Sequence, residues 1–129
     1  MLSSRQNISS GGKYEKVVGY SRAVKISNMV FVSGTSGVKE DDSPTLGSES
    51  YDQARRAIKK IEEVLQRADC SLKDVVLTRV FVSRGADWKE VAKAHSEFFG
   101  DVLPSSSMLV CEFLDPRILV EIEAEAVVE

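Results

Sequence analysis

At 129 residues, with 43% hydrophobic and 29% charged side chains, the chain has the size and composition of one folded domain, not of a disordered segment. Its 17 basic and 20 acidic groups leave a formal net charge of −3 with the single His neutral, which argues against a nucleic-acid reader, since such proteins carry a basic face. No apolar run approaches the roughly 18 residues of a membrane span, and one His with two scattered Cys does not supply the about four ligands of a zinc site.

Residues Met1 to Asn7 hold no apolar stretch of the signal-peptide kind, so the expected location is cytoplasmic. Cys70 and Cys111 belong to no CxxC pattern and read as free thiols, Cys111 as a small buried hydrophobe. Residues 1–13 are polar and rich in Ser and Gly and read as a flexible N-terminal arm. Residues 14–129 read as the single domain. From Tyr20 to Ile26 the pattern alternates as in a half-buried strand, Ser27-Asn28 is a turn, and Met29 to Val32 is a second strand ending at Ser33-Gly34. The polar stretch from Thr35 to Glu49 reads as a surface loop.

Ser50 with Gln53 has the capping-box form and predicts a helix start. Ala54, Ala57, Ile58, Ile61, Val64, Leu65 and Ala68 then recur at helical spacing, while Arg55, Arg56, Lys59, Lys60, Glu62, Glu63 and Arg67 make a solvated face. Val75 to Val82 is almost continuously apolar and β-branched and reads as a central strand. Asp87 with Glu90 predicts a second helix over Trp88 to Phe99, with Trp88 as a core anchor and His95 on its apolar stripe as a packed histidine. After Pro104 comes the polar triplet Ser105-Ser106-Ser107, then a strand from Met108 to Phe113 and a turn at Asp115-Pro116-Arg117. In the last strand Val120, Ile122, Ala124 and Ala126 alternate strictly with Glu121, Glu123 and Glu125. The order is ββαβαββ, an α+β arrangement of a mixed sheet with two helices packed on one face.

Three glutamates in a row repel one another unless something neutralises them. The sheet face that they share also carries Val75, Leu77, Arg79 and Phe81, which predicts cover by another subunit, with Arg79 or Lys25 supplying the counter-charge. Ser33-Gly34 and the Ser105–Ser107 triplet place small hydroxyls and backbone N–H groups at strand ends, which suits a carboxylate or carbonyl as well as it suits a plain turn. No GxSxG, Walker, GxGxxG or HExxH pattern is present.

Gly19-Tyr20-Ser21-Arg22-Ala23-Val24, Val30-Phe31-Val32-Ser33-Gly34, the Asp74–Val82 segment, Phe98-Phe99-Gly100 and Leu119-Val120-Glu121-Ile122-Glu123-Ala124 occur in an order that resembles the Rid/YjgF family of reactive-intermediate deaminases. The resemblance runs from about Gly19 to Val128. It implies a chorismate-mutase-like fold, a homotrimer whose sheets form an inner barrel, and ligand clefts between subunits. It also implies hydrolysis of enamines and imines of 2-amino acids to 2-keto acids and ammonia, with no cofactor. The family's water-placing glutamate matches Glu121, and its pocket tyrosine and serine match Tyr20 and Ser33, next to Gly34. The carboxylate-binding arginine of the family's Pro-Ala-Arg-Ser does not match: here the residues are Pro104-Ser105-Ser106-Ser107, with Ser106 at the arginine's place. A neutral hydroxyl cannot reproduce a bidentate guanidinium–carboxylate pair. Arg22 is the candidate for a relocated positive charge.

Two readings follow. In the first, the chain is a hydrolytic deaminase of a small enamine, imine or aminomuconate-like metabolite. Glu121 is the acid/base, and Tyr20, Arg22, Ser33, Gly34, Ser106 and Ser107 bind the ligand. In the second, it is a non-catalytic trimer that binds a metabolite or a partner protein. A ribonuclease is the least favoured reading, because no basic stripe is present.

Overall fold

The computed structural model describes residues 4–129. They form six strands, β1 (Gln6–Ile8), β2 (Ala23–Ile26), β3 (Met29–Ser36), β4 (Val75–Val82), β5 (Ser105–Val110) and β6 (Val120–Val127), and two long helices, α1 (Glu49–Arg67) and α2 (Trp88–Phe99). The strands make one mixed sheet in the order β1-β2-β3-β6-β4-β5, antiparallel throughout except for the parallel pair β4 and β5.

The strict alternation of β6 works as the sequence predicts. Val120, Ile122, Ala124 and Ala126 are buried and the glutamates between them face the other side. Beside them Val30 and Val32 of β3 and Thr78, Val80 and Val82 of β4 complete the covered face. Ala54, Ala57, Ile58, Ile61 and Leu65 of α1, and Val91, Ala94 and Phe99 of α2, close over it. Each large aliphatic or aromatic side chain taken from water contributes about 1.5–3 kcal/mol, so this seam holds the two layers together.

Several expectations change. The N-terminal arm contributes a strand: β1 pairs with β2 and buries Ile8, a contact too short to leave a periodic signal. The first three residues of the expected arm lie outside the described residues. The cap of α1 is Ser48, whose Oγ accepts from the Tyr51 N–H at 3.1 Å, and not Ser50. Ser50 instead accepts from the Asp87 N–H at the start of α2, and so ties the two helix starts together. Asp87 does cap α2, but Glu90 accepts from Ser48 instead of returning to Asp87. Trp88 is 55% exposed and anchors no core; the buried side chains of α2 are Val91, Ala94 and Phe99. Ser105 to Ser107 are not a lead-in: they are the first half of β5, which ends at Val110. The charged face of α1 is not simply wet, since Arg55 and Arg56 both pair with the fully buried Asp52.

On the outer sheet face the chain itself supplies one counter-charge to the glutamates, and Val75, expected on that face, is buried in the core beyond a register shift between Val75 and Leu77. Arg79 lies 3.5 Å from Glu123 and 3.4 Å from Glu125. Lys25 takes no part in this and donates to the Ala68 carbonyl at the end of α1. Both cysteines are free, Cys70 buried and Cys111 half-buried. Among the described residues, no helix is long and apolar enough to cross a membrane.

Candidate active site

The centre of the site is an irregularity in the sheet. The β3–β6 register shifts between Val32 and Thr35, so Ser33-Gly34 is a β-bulge inside β3 and not the end of a strand. Bulges re-aim side chains and often stand beside functional sites. Here the bulge turns the Gly34 carbonyl toward Arg22. One guanidinium nitrogen of Arg22, Nη1, donates to that carbonyl at 2.9 Å and to Thr35 Oγ1 at 3.0 Å. The Thr35 hydroxyl in turn donates a hydrogen bond to the Ser33 carbonyl at 2.8 Å, which fixes its orientation toward Arg22. The Tyr20 ring lies 5.6 Å from the guanidinium carbon, within cation–π range.

Glu121 sits on β6 opposite Ser36, and its carboxylate folds back over Gly34. A Cβ at Gly34 would stand 2.6 Å from Glu121 Oε1. Only glycine leaves that space. Burial pushes the Glu121 carboxyl up from its ordinary value, Arg22 pulls it down, and Glu123 adds a further push upward. Arg22 and Glu121 thus feel each other's charge without closing an ion pair. A half-buried carboxyl with a raised pKa beside a fixed cation has the properties of a general acid/base.

These groups open into a cleft of about 1140 Å³. One lip is the segment from Ser10 to Tyr20, closed by a single π turn over Glu15–Gly19. It is held by the buried Glu15, whose carboxylate accepts from the Ser10 N–H, the Ser10 hydroxyl and the Gly12 N–H. The other lip is the 112–118 segment. There Asp115 grips Arg117 through both carboxylate oxygens, which lowers the Asp115 carboxyl to about 2. Gln53 of α1 pins this lip by donating to the Arg117 carbonyl at 3.0 Å and accepting from the Leu119 N–H at 2.8 Å.

The candidate residues divide. Tyr20, Arg22, Gly34 and Glu121 line the cleft together. Ser33 donates to the Ser21 carbonyl and borders a shallow depression of about 200 Å³ with Arg79, Glu123 and Glu125. Ser106 accepts from Thr78 Oγ1 at 2.8 Å, and that hydroxyl lies 2.9 Å from His95 Nε2, so Ser106 turns toward the helices. Ser107 stands opposite Arg79 on β4. Sequence reasoning missed Lys60, Thr35, Ser36, Glu112 and Arg117 as cleft residues. Lys60 was hidden in the charged face of α1; its donation to the Ser36 carbonyl at 3.0 Å has no local signature. Among the described residues no group of three or more His, Cys, Asp or Glu is placed to hold a metal ion.

Comparison with known proteins gives the same architecture. The family model described as Endoribonuclease L-PSP matches residues 13–128. The crystal structure of a member of the YjgF/YER057c/UK114 family from Mycobacterium tuberculosis superposes with a TM-score of 0.86 at 41% identity, over 97% of this chain and 100% of that one. An uncharacterised protein of Streptomyces coelicolor is 33% identical over 94% of this chain and 90% of its own length. The 3-aminoacrylate deaminase RutC of Acinetobacter baylyi is 28% identical over 83% of this chain and 85% of its own length.

Proposed function

The chain belongs to the Endoribonuclease L-PSP (YjgF/Rid) family, and from that premise we propose that it is a hydrolytic deaminase of a small enamine, imine or aminomuconate-like acid. The observation that carries this reading is the half-buried Glu121 carboxyl, raised by burial and facing, unpaired, the fixed guanidinium of Arg22 across Gly34. Arg22 and Tyr20 bind the substrate carboxylate. An enamine first takes a proton at carbon from solvent to give the iminium, while Glu121 stays ionised. Glu121 then takes a proton from water as the water oxygen adds to the iminium carbon, giving a carbinolamine. Glu121 returns the proton to the amine nitrogen, the C–N bond breaks as Glu121 takes the carbinolamine hydroxyl proton, and a 2-keto acid and ammonia leave, the ammonia taking up that proton as ammonium. No oxidant or reductant enters. A relative named as a 3-aminoacrylate deaminase supports a nitrogen leaving group.

The active unit in this proposal is a homotrimer in the cytoplasm, with the sheets turned inward and a neighbouring chain completing the cleft. Ser33, Ser106 and Ser107 reach ligand only in that assembly. Support comes from β5, an edge strand with Met108, Leu109 and Val110 exposed, since such an edge invites pairing. The second reading, a non-catalytic trimeric binder of a metabolite or partner protein, is favoured by Ser106 alone, because it is an uncharged residue engaged with Thr78.

The test is ammonia release from imines generated in situ and from 2-aminomuconate. Wild type should exceed background and Glu121→Gln should fall to it. Identical rates for the two would overturn the deaminase reading. Ligand-induced thermal stabilisation without turnover would favour the binder.

A further inference from the structure

Four basic side chains line the cleft: Lys13, Arg22, Lys60 and Arg117. Arg117 is committed to Asp115, and Lys13 lies over the Tyr14 ring on the outer lip. Arg22 and Lys60 differ from both. Their acceptors are neutral oxygens on three consecutive residues of β3: the Gly34 carbonyl, the Thr35 hydroxyl and the Ser36 carbonyl. One cation arrives from the segment before β2 and the other from α1, so the fold brings them together at the end of one strand. Desolvation pushes the Lys60 ammonium down, Glu40 pushes it up, and Arg22 pushes it down again. Two like charges side by side at a partly desolvated wall repel each other, and a seated anion relieves that cost.

We infer that Arg22 and Lys60 together form a two-cation seat on the β3 wall of the cleft, and that the ligand it selects carries two carboxylates. One carboxylate engages the free edge of the Arg22 guanidinium, next to Glu121. The second engages Lys60, which otherwise donates to the Ser36 carbonyl and feels the charges of Glu40 and Glu63. Lys60 is therefore a specificity-determining residue, and the substrate class is a dicarboxylic 2-imino or 2-enamino acid.

The inference takes this cleft as the reaction site, as the deaminase reading does, but it is tested by binding alone. Titration calorimetry compares 2-oxoglutarate with 2-oxobutanoate, a dicarboxylic and a monocarboxylic keto acid, on wild type, Lys60→Met, Lys60→Arg and the surface control Lys89→Gln. Wild type and Lys89→Gln should bind the dicarboxylate about tenfold tighter, which is the size of one partly exposed charged contact. That preference should shrink as salt rises. Lys60→Met should lose it and Lys60→Arg should restore it. Equal affinity of wild type for the two acids, a preference that survives in Lys60→Met, or no binding of either acid at millimolar concentration overturns the seat. A preference that stands while ammonia release fails overturns only the deaminase reading.

Discussion

Glu121 Oε1 lies against Gly34 with no room for a Cβ between them, while the carbonyl of the same glycine holds Arg22 at 2.9 Å. One residue therefore sets the position of both charged groups of the site. The Cβ of Gly34→Ala would meet only the far end of a flexible side chain, so the carboxylate swings away and the fold stays. We expect thermal stability close to wild type and a loss of deamination of about a hundredfold, the cost of an ångström-scale misplacement of a catalytic group. Activity and melting temperature measured on the same preparation check this.

Gly37 gives the opposite outcome. A Cβ there would stand 1.9 Å from the Gln53 carbonyl oxygen and 2.8 Å from the Ala57 nitrogen, both backbone atoms of α1. Neither can move without shifting the helix. Gly37→Ala should destabilise the protein by about 3 kcal/mol or more, read as a lower urea midpoint, if it yields soluble protein at all.

Arg22→Gln should move the pH dependence of activity in a defined direction. The guanidinium lowers the Glu121 carboxyl against the push of burial. Without it, Glu121 ionises at higher pH. If the ionised carboxylate is the base, kcat/KM rises through the Glu121 pKa, so the acidic limb of the profile should shift to higher pH in Arg22→Gln. KM should rise as well, since a charge-assisted contact is lost. A profile that falls in height with no shift would show that Arg22 binds substrate without tuning Glu121.

Elements with a strong period could be read from the sequence. The alternation of β6 and the apolar stripe of α1 each record a single interface, so Ile122 and Ile58 stand where their spacing puts them. Elements set by one distant contact could not be read. Ser48 and Ser50 are equivalent as letters, and only the approach of α2 makes one a cap and the other a brace. Of the candidate residues, Tyr20, Arg22, Gly34 and Glu121 share one cleft, because they lie on neighbouring strands or at their ends. Lys60 was not legible, because a lysine in a run of charges looks the same whether it meets water or the Ser36 carbonyl. The orientation of Ser106 was not legible for a related reason. Its backbone position follows from the strand, but its hydroxyl follows Thr78, 28 residues away.

Arg79 bridges Glu123 and Glu125 on the outer face of the sheet. All three are partly exposed, so the pairs themselves contribute about 1 kcal/mol or less. Removing the cation leaves like charges in a row along β6. Arg79→Met should lower the melting temperature by a few degrees, with part of the loss recovered in high salt. If this face is where copies meet, sedimentation should also show weaker self-association. An unchanged melting temperature and an unchanged assembly would remove Arg79 from both roles.

His95 and Glu121 should give stability opposite dependences on pH. Burial lowers the His95 pKa below its ordinary 6.5, with the ring against Phe99 and Nε2 at the Thr78 hydroxyl. The unfolded chain then binds a proton more readily than the folded one, so the contribution of His95 is present above 6.5 and is lost as pH falls through that value toward the folded pKa. Glu121 runs the other way. Its folded pKa is raised above 4.5, so its contribution is present below 4.5 and is lost as pH rises through the folded value. Between these limits the two slopes partly cancel in wild type. Urea unfolding across that window should show a slope of stability against pH more negative than wild type in His95→Gln, which loses the His95 contribution, and more positive than wild type in Glu121→Gln, which loses the Glu121 contribution. The Asp115 carboxyl, already at about 2 through its grip on Arg117, titrates too low to imitate either slope.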